Sequence, residues 1–181
     1  KDVLIIGPGD EARTKKVELE QFIARHKPIV IGLGAFSAIN QSLIDAVAVC
    51  HPERAALEAT AISQLQCPVF APSALLNELD ITTKQPRDVG VAISDAGFSL
   101  APTQATLPRL LSAAYALALA AQGGAKRILV AGFDGFSQDD HRFQEMDDVF
   151  AKFAQLTNAP QVVSITRTRF NIERSSMFAP L

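Results

Sequence analysis

The chain has 181 residues, 48% of them hydrophobic and 20% charged, with a formal net charge of -2 at pH 7. That length suits one domain with a sizeable core, and the composition excludes a disordered or fibrous chain. The slight negative charge supplies no basic footprint for nucleic acid or for an anionic membrane surface, so neither is expected as a partner.

In chain order, Asp2 to Ile6 is a short branched apolar run that stops at Gly7-Pro8-Gly9, the pattern of a buried strand entering a tight turn. From Glu11 to Arg25, Val17, Leu19, Phe22 and Ile23 recur near helical spacing among Lys and Glu, and Pro28 ends the pattern. The run from Pro28 to Leu33 is fully apolar, as in a parallel strand covered on both faces. Ile44 to Cys50 is a third strand, and His51-Pro52-Glu53 opens a helix with Pro and Glu in its first turn. Pro68 to Ala71 is a fourth strand and Asp88 to Ser94 a fifth, with Asp80 to Arg87 a surface loop between them. Thr106 to Gln122 is apolar on nearly every side and is expected to be the most buried helix, stopped by Gly123-Gly124. Arg127 to Ala131 is a sixth strand, Arg142 to Leu156 a helix and Gln161 to Ile165 a seventh strand. The tail from Arg167 to Leu181 has no clear period.

This alternation predicts a single α/β domain over residues 1–181: three layers, with a doubly wound, mostly parallel, Rossmann-like sheet of about six or seven strands. Such sheets bind ligands beyond the carboxyl ends of their strands, where strand order reverses. No apolar run approaches the roughly 20 residues of a membrane span, and no signal peptide is visible. Cys50 and Cys67 both sit in apolar runs, which suits a reducing cytoplasm better than a disulfide framework. A chain that opens at Lys1 directly on a strand is expected to be a domain cut from a longer protein.

Gly7-Pro8-Gly9-Asp10-Glu11-Ala12 has the G-x-G-x-x-G/A spacing between strand and helix, where glycines let backbone N–H groups approach a phosphate. The acid that would hold a ribose at the end of the second strand is missing, since Gly32-Leu33-Gly34 stands there, so NAD is disfavoured. Arg13, Lys15 and Lys16 are placed to neutralise a phosphate or to form a solvated helix face. Gly132-Phe133-Asp134-Gly135-Phe136 ends the sixth strand and runs into Ser137-Gln138-Asp139-Asp140-His141-Arg142, the polar hot spot of the chain. Asp134, between two glycines, suits a sugar hydroxyl or a divalent ion, whereas Asp139 and Asp140 suit the cap of the next helix. Thr103 and Thr106, ahead of the buried helix, are candidate anion donors. Asn40, near the end of the second strand, is a candidate reader of a base or sugar. His26, His51 and His141 lack zinc-site spacing, a Cys50/His51 dyad has no orienting third group, and neither a P-loop nor a G-x-S-x-G elbow is present. No self-sufficient catalytic constellation stands out.

Two blocks, Val3 to Gly9 and Ala101 to Phe136, resemble in order the nucleotide side of the Rossmann-like domain of bacterial sialyltransferases and motility-accessory-factor glycosyltransferases, though Asp10 replaces the small polar residue usual after the glycine loop. A resemblance running nearly end to end is carried by Gly7-Pro8-Gly9, Pro28 to Ile31, Ser42 to Asp45, Ala131 to Gly135, Glu145-Met146 and Ser164 to Ile172. It is to the carboxyl-terminal domain of aldolase-like proteins of the HMG-CoA lyase and pyruvate carboxyltransferase type, found with cell-surface polysaccharide genes. That resemblance implies a parent lyase acting on a pyruvate-like donor, with its metal-binding barrel in an amino-terminal domain outside these 181 residues.

The expected function is therefore an accessory domain binding a nucleotide or phosphorylated sugar through Gly7, Pro8, Gly9, Asn40, Thr103, Thr106, Gly132, Asp134 and Gly135. Mg2+ arriving with a nucleotide is compatible with this set, but no protein-built metal site is expected. Two alternatives are a sugar-nucleotide transferase with Asp134 or His141 as base, and a structural domain that docks on the barrel or forms a homodimer.

Overall fold

A computed structural model describes residues 1–137 and 139–179; Gln138 in the polar hot spot, and Pro180 and Leu181 in the tail, lie outside the described residues. The chain is α/β, built on an eight-stranded parallel sheet in the order β11-β10-β9-β1-β2-β3-β4-β5. Its strands are β1 (Val3–Ile6), β2 (Ile29–Leu33), β3 (Ala46–Ala48), β4 (Val69–Ala71), β5 (Pro86–Asp88), β9 (Arg127–Ala131), β10 (Gln161–Ser164) and β11 (Glu173–Arg174). A three-stranded sheet holds β6 (Gly90–Ile93), β7 (Ser99–Ala101) and β8 (Gln104–Leu107), with β8 parallel to β6 and antiparallel to β7.

Both faces of the large sheet are covered, which is why its central strands are continuous apolar runs. Along β1, Leu4 and Ile6 enter one core with Leu19 and Phe22 of α2 (Lys16–His26), Ile62 of α3 (Pro52–Gln64) and Leu75 of α4 (Ser73–Glu78). Val3 and Ile5 enter the other, with Tyr115 and Leu117 of α5 (Ser112–Gln122) and Val149 and Phe153 of α6 (His141–Ala154). Burying one such side chain stabilises the fold by roughly 1.5–3 kcal/mol. Helix α5 is the centre of the second layer: eight of its 11 residues are buried, and the Tyr115 hydroxyl donates to Val89 O at 2.7 Å, fixing the entry to the small sheet.

Strand order reverses between β1 and β9. From β1 the chain winds outward through β2 to β5; it returns to pair β9 with the other side of β1, then continues to β10 and β11. The connections leaving β1 and β9 go to opposite faces, which opens a crevice beyond their carboxyl ends.

Several sequence expectations are corrected. The helix over Glu11 to Arg25 is two helices, α1 (Asp10–Thr14) and α2, broken at Lys15. The stretch from Asp80 to Arg87 is not wholly a loop, because Pro86 to Asp88 add an exposed edge strand. Asp88 to Ser94 is not a single strand of the main sheet: β6 belongs to the small one. The helix expected from Thr106 starts only at Ser112, because Pro108 removes a donor and pushes Leu107 into extended backbone. The expected strand count is exceeded by β5 and the two-residue β11.

Candidate functional site

A pocket of about 460 Å³ lies at the reversal point, within the range of small-molecule sites. Its floor and walls come from the β1–α1 turn (Pro8, Gly9, Asp10, Arg13), the end of β2 (Leu33), the start of α3 (His51, Arg54) and the start of α5 (Leu111, Ser112, Ala113). The rest comes from the β9 end (Gly132 to Phe136), from Arg142, Glu145 and Met146 of α6, and from Phe170.

The glycine turn does not cradle a ligand with its amides. Gly7 N donates to Ala131 O at 2.8 Å and Gly9 N to Gly132 O at 2.9 Å. A Cβ on Gly9 would lie 2.5 Å from Gly132 O and 2.6 Å from Asp134 Oδ1, so this glycine exists to let the β1 and β9 turns touch. Asp134 Oδ2 accepts from Glu11 N at 3.0 Å, placing a carboxylate at the start of α1 where a bound phosphate would otherwise sit. Asp134 is thus a cap supplied by the neighbouring strand; its Oδ1 is buried without a hydrogen-bond partner among the described residues.

Helices α3 and α5 begin differently. Neither has a side-chain cap; His51 and Leu111 hold the cap positions in extended backbone. The amides of Glu53, Arg54, Ser112 and Ala113 meet no acceptor among the described residues, whereas Ala55 and Tyr115 close the first helical turns onto His51 O and Leu111 O. Unpaired first-turn amides and the helix dipole favour an anion at such ends.

Arg54 is aimed by three contacts. Its Nε donates to Glu58 Oε1 at 2.8 Å and its Nη2 to Leu33 O at 3.0 Å, while Glu58 Oε2 accepts from Ala35 N at 2.6 Å. Glu58 is 7% exposed, and the room it needs is the missing side chain of Gly34, whose φ is +80°. An acid does stand at the end of β2, reached from α3, but it serves Arg54 and the backbone. Arg142 pairs with Asp140 at 2.6 Å and lies 4.2 Å over the Phe136 ring; that pairing holds the Asp140 carboxyl down near 2. Arg13 pairs with Asp10 at 2.7 Å.

Of the sequence-derived candidates, Pro8, Gly9, Gly132, Asp134 and Gly135 come together on the pocket wall. Gly7 is not on that wall; it sits beneath, packed against Gly132 O and Phe133. Asn40 does not reach the pocket either: it is exposed and accepts from Ser42 N at 3.1 Å to start the short turn Gln41–Leu43. Thr103 lies in the exposed β7–β8 turn and Thr106 in β8, paired with Ala92 and Ser99, because the helix they were expected to precede starts later. His141 is not among the lining residues, and Asp140 caps α6 by accepting from Arg142 N. Burial pushes the Cys50 thiol up to about 12, against the Ser112 hydroxyl, which removes it as a nucleophile at neutral pH. The readings from sequence missed Arg54, Ser112, Ala113, Glu145, Met146 and Phe170. A readable signal was available for two helices, since no Ser, Thr, Asp or Asn precedes Pro52 or Ser112 at the cap.

The tail orders this edge. Gly132 N donates to Thr166 Oγ1 at 3.1 Å, Thr168 Oγ1 donates to Phe133 O at 2.5 Å, and Arg169 N donates to Asp134 O at 3.0 Å. These bonds fix the loop bearing Asp134. Among the described residues no three His, Cys, Asp or Glu side chains converge as metal ligands, and no helix is long and apolar enough to cross a membrane. Compared with protein-family models, curated proteins and solved structures, the chain matches none.

Proposed function

We propose that the reversal-point pocket binds a phosphorylated small molecule, a nucleotide or a phosphosugar, with the phosphate on the first turns of α5 and α3 beside Arg54. The observation that carries this reading is the convergence of two uncapped helix starts and an aimed guanidinium on one pocket. Leu33, Phe133, Met146 and Phe170 supply an apolar wall for a base or sugar face. Asp134 acts as a positioning residue that closes α1. A magnesium ion would arrive on the ligand's phosphates; besides Asp134, the carboxylates lining the pocket are Asp10 and Glu145.

The resemblance to the carboxyl-terminal domain of aldolase-like proteins supports an accessory role in a lyase-type enzyme of surface-polysaccharide synthesis, in the cytoplasm. A transferase with His141 as base is the weaker reading, because that side chain is exposed outside the pocket lining.

The test is a thermal-shift panel of ADP, UDP-glucose, glucose 6-phosphate and inorganic phosphate, each with and without Mg2+. A ligand at ~100 times its dissociation constant adds roughly 2.7 kcal/mol of stability. A shift for at least one phosphorylated compound, lost in Arg54→Ala, is expected; a flat panel contradicts the reading.

A further inference from the structure

A second cleft, of about 280 Å³, opens where the tail crosses the carboxyl end of β10 beside α1. Lys15, Arg167 and Arg174 line it with Ser175 and Ser176, and Glu11 is the one carboxylate on its wall among the described residues. None of the three cations forms an ion pair or donates a side-chain hydrogen bond among the described residues, whereas Arg13, Arg54 and Arg142 around the first pocket are each paired. Acids outnumber Lys and Arg by 19 to 17 in the chain, so the unpaired cluster does not reflect a shortage of carboxylates.

The wall is anchored rather than loose. Arg174 is in register with Ser164 in the β10–β11 pairing, and Ser175 N donates to Ser164 O at 2.8 Å. Met177 is buried at 7% in the core of the α2 face. Ser176 Oγ accepts from Phe178 N at 3.2 Å, which leaves its O–H free to donate. Three cations, two hydroxyls and a fixed backbone around a cavity of that size match an oxyanion that accepts several charge-assisted bonds.

We infer that this cleft is a second oxyanion site, suited to a phosphate monoester and separate from the reversal-point pocket. A cavity of about 360 Å³ lies between the two: it shares Asp10, Asp134, Gly135 and Phe136 with the pocket, and Glu11 and Arg167 with the cleft. The anion is therefore either the far phosphate of a ligand seated in the pocket or a phosphate held on its own.

The experiment is a titration of the 15N-labelled chain with inorganic phosphate, followed by amide shifts. Saturating movement of Arg167, Ser175 and Ser176 is expected, abolished in the Arg167→Ala/Arg174→Ala double variant and kept in Arg54→Ala. Still amides at the cleft while Ser112 and Ala113 move overturn this site and leave the pocket reading standing; the converse upholds the cleft and overturns the pocket. Glucose 1,6-bisphosphate binding at least tenfold tighter than glucose 6-phosphate, with the gain lost in the double variant, assigns the cleft to the far end of one ligand. Equal affinity with moving cleft amides assigns it to a separate phosphate.

Discussion

Helices α1 and α5 both start at the carboxyl edge of the sheet, and their first turns are finished by opposite means. At α1, the Gly7 and Gly9 amides bind carbonyls of the β9 end and Asp134 supplies the negative charge to Glu11 N. At α5, an 11-residue buried helix, Leu111 offers no side-chain acceptor and the open amides meet a pocket lined by Arg54. A glycine-rich strand-to-helix turn and an anion seat are thus separable: glycine spacing serves close approach of two strand ends here, while the unsatisfied donors lie on other helices.

The largest effect expected from breaking this contrast is on stability. Gly9→Ala drives a Cβ into Gly132 O and should cost about 3 kcal/mol by urea denaturation, with or without ligand. Next in size, Arg54→Ala should weaken the best phosphorylated ligand by tenfold or more in calorimetry, the scale of one charge-assisted bond, with Arg54→Lys recovering part of it. A full-affinity Arg54→Ala would remove the guanidinium from the site. Smaller still, Asp134→Asn keeps the shape of the cap but loses its charge at α1, for about 1 kcal/mol of stability and little change in affinity. A tenfold loss of affinity there would instead put Asp134 on the ligand.

The smallest effect concerns Cys50. Its thiol stays protonated in the folded chain up to about 12, above the ordinary 9.0. The unfolded chain ionises first, so this group's contribution is intact below pH 9 and is lost as pH rises toward 12. At pH 8, iodoacetamide should modify the half-buried Cys67 and spare Cys50 until the chain unfolds; rapid native-state alkylation of Cys50 would reopen a nucleophilic role.

What the residues disclosed in advance follows from burial. Strands such as β1, β2 and β9 are legible because covering on both faces demands unbroken apolar runs. The small sheet is not: Ser99–Ala101 is mostly exposed and only three residues long, and Gly90 opens β6, so no period announces it. The glycine turn was legible as a turn but not in its purpose, since the same spacing serves a phosphate or a close approach and only contact with Gly132, more than a hundred residues away in sequence, decides. Arg54 could be read as part of a helix, but its aim depends on Glu58 filling the space left by Gly34, a tertiary fact.

An anion is expected on α5 and not on α1, and the amides of Ser112 and Glu11 report on it most directly. In a titration of the 15N-labelled Arg167→Ala/Arg174→Ala chain with pyrophosphate, which disables the cleft beside Glu11, Ser112 and Ala113 should shift to saturation while Glu11, held by Asp134, stays in place. A saturating shift of Gly9 and Glu11 with Ser112 and Ala113 unmoved would return the phosphate to the glycine turn.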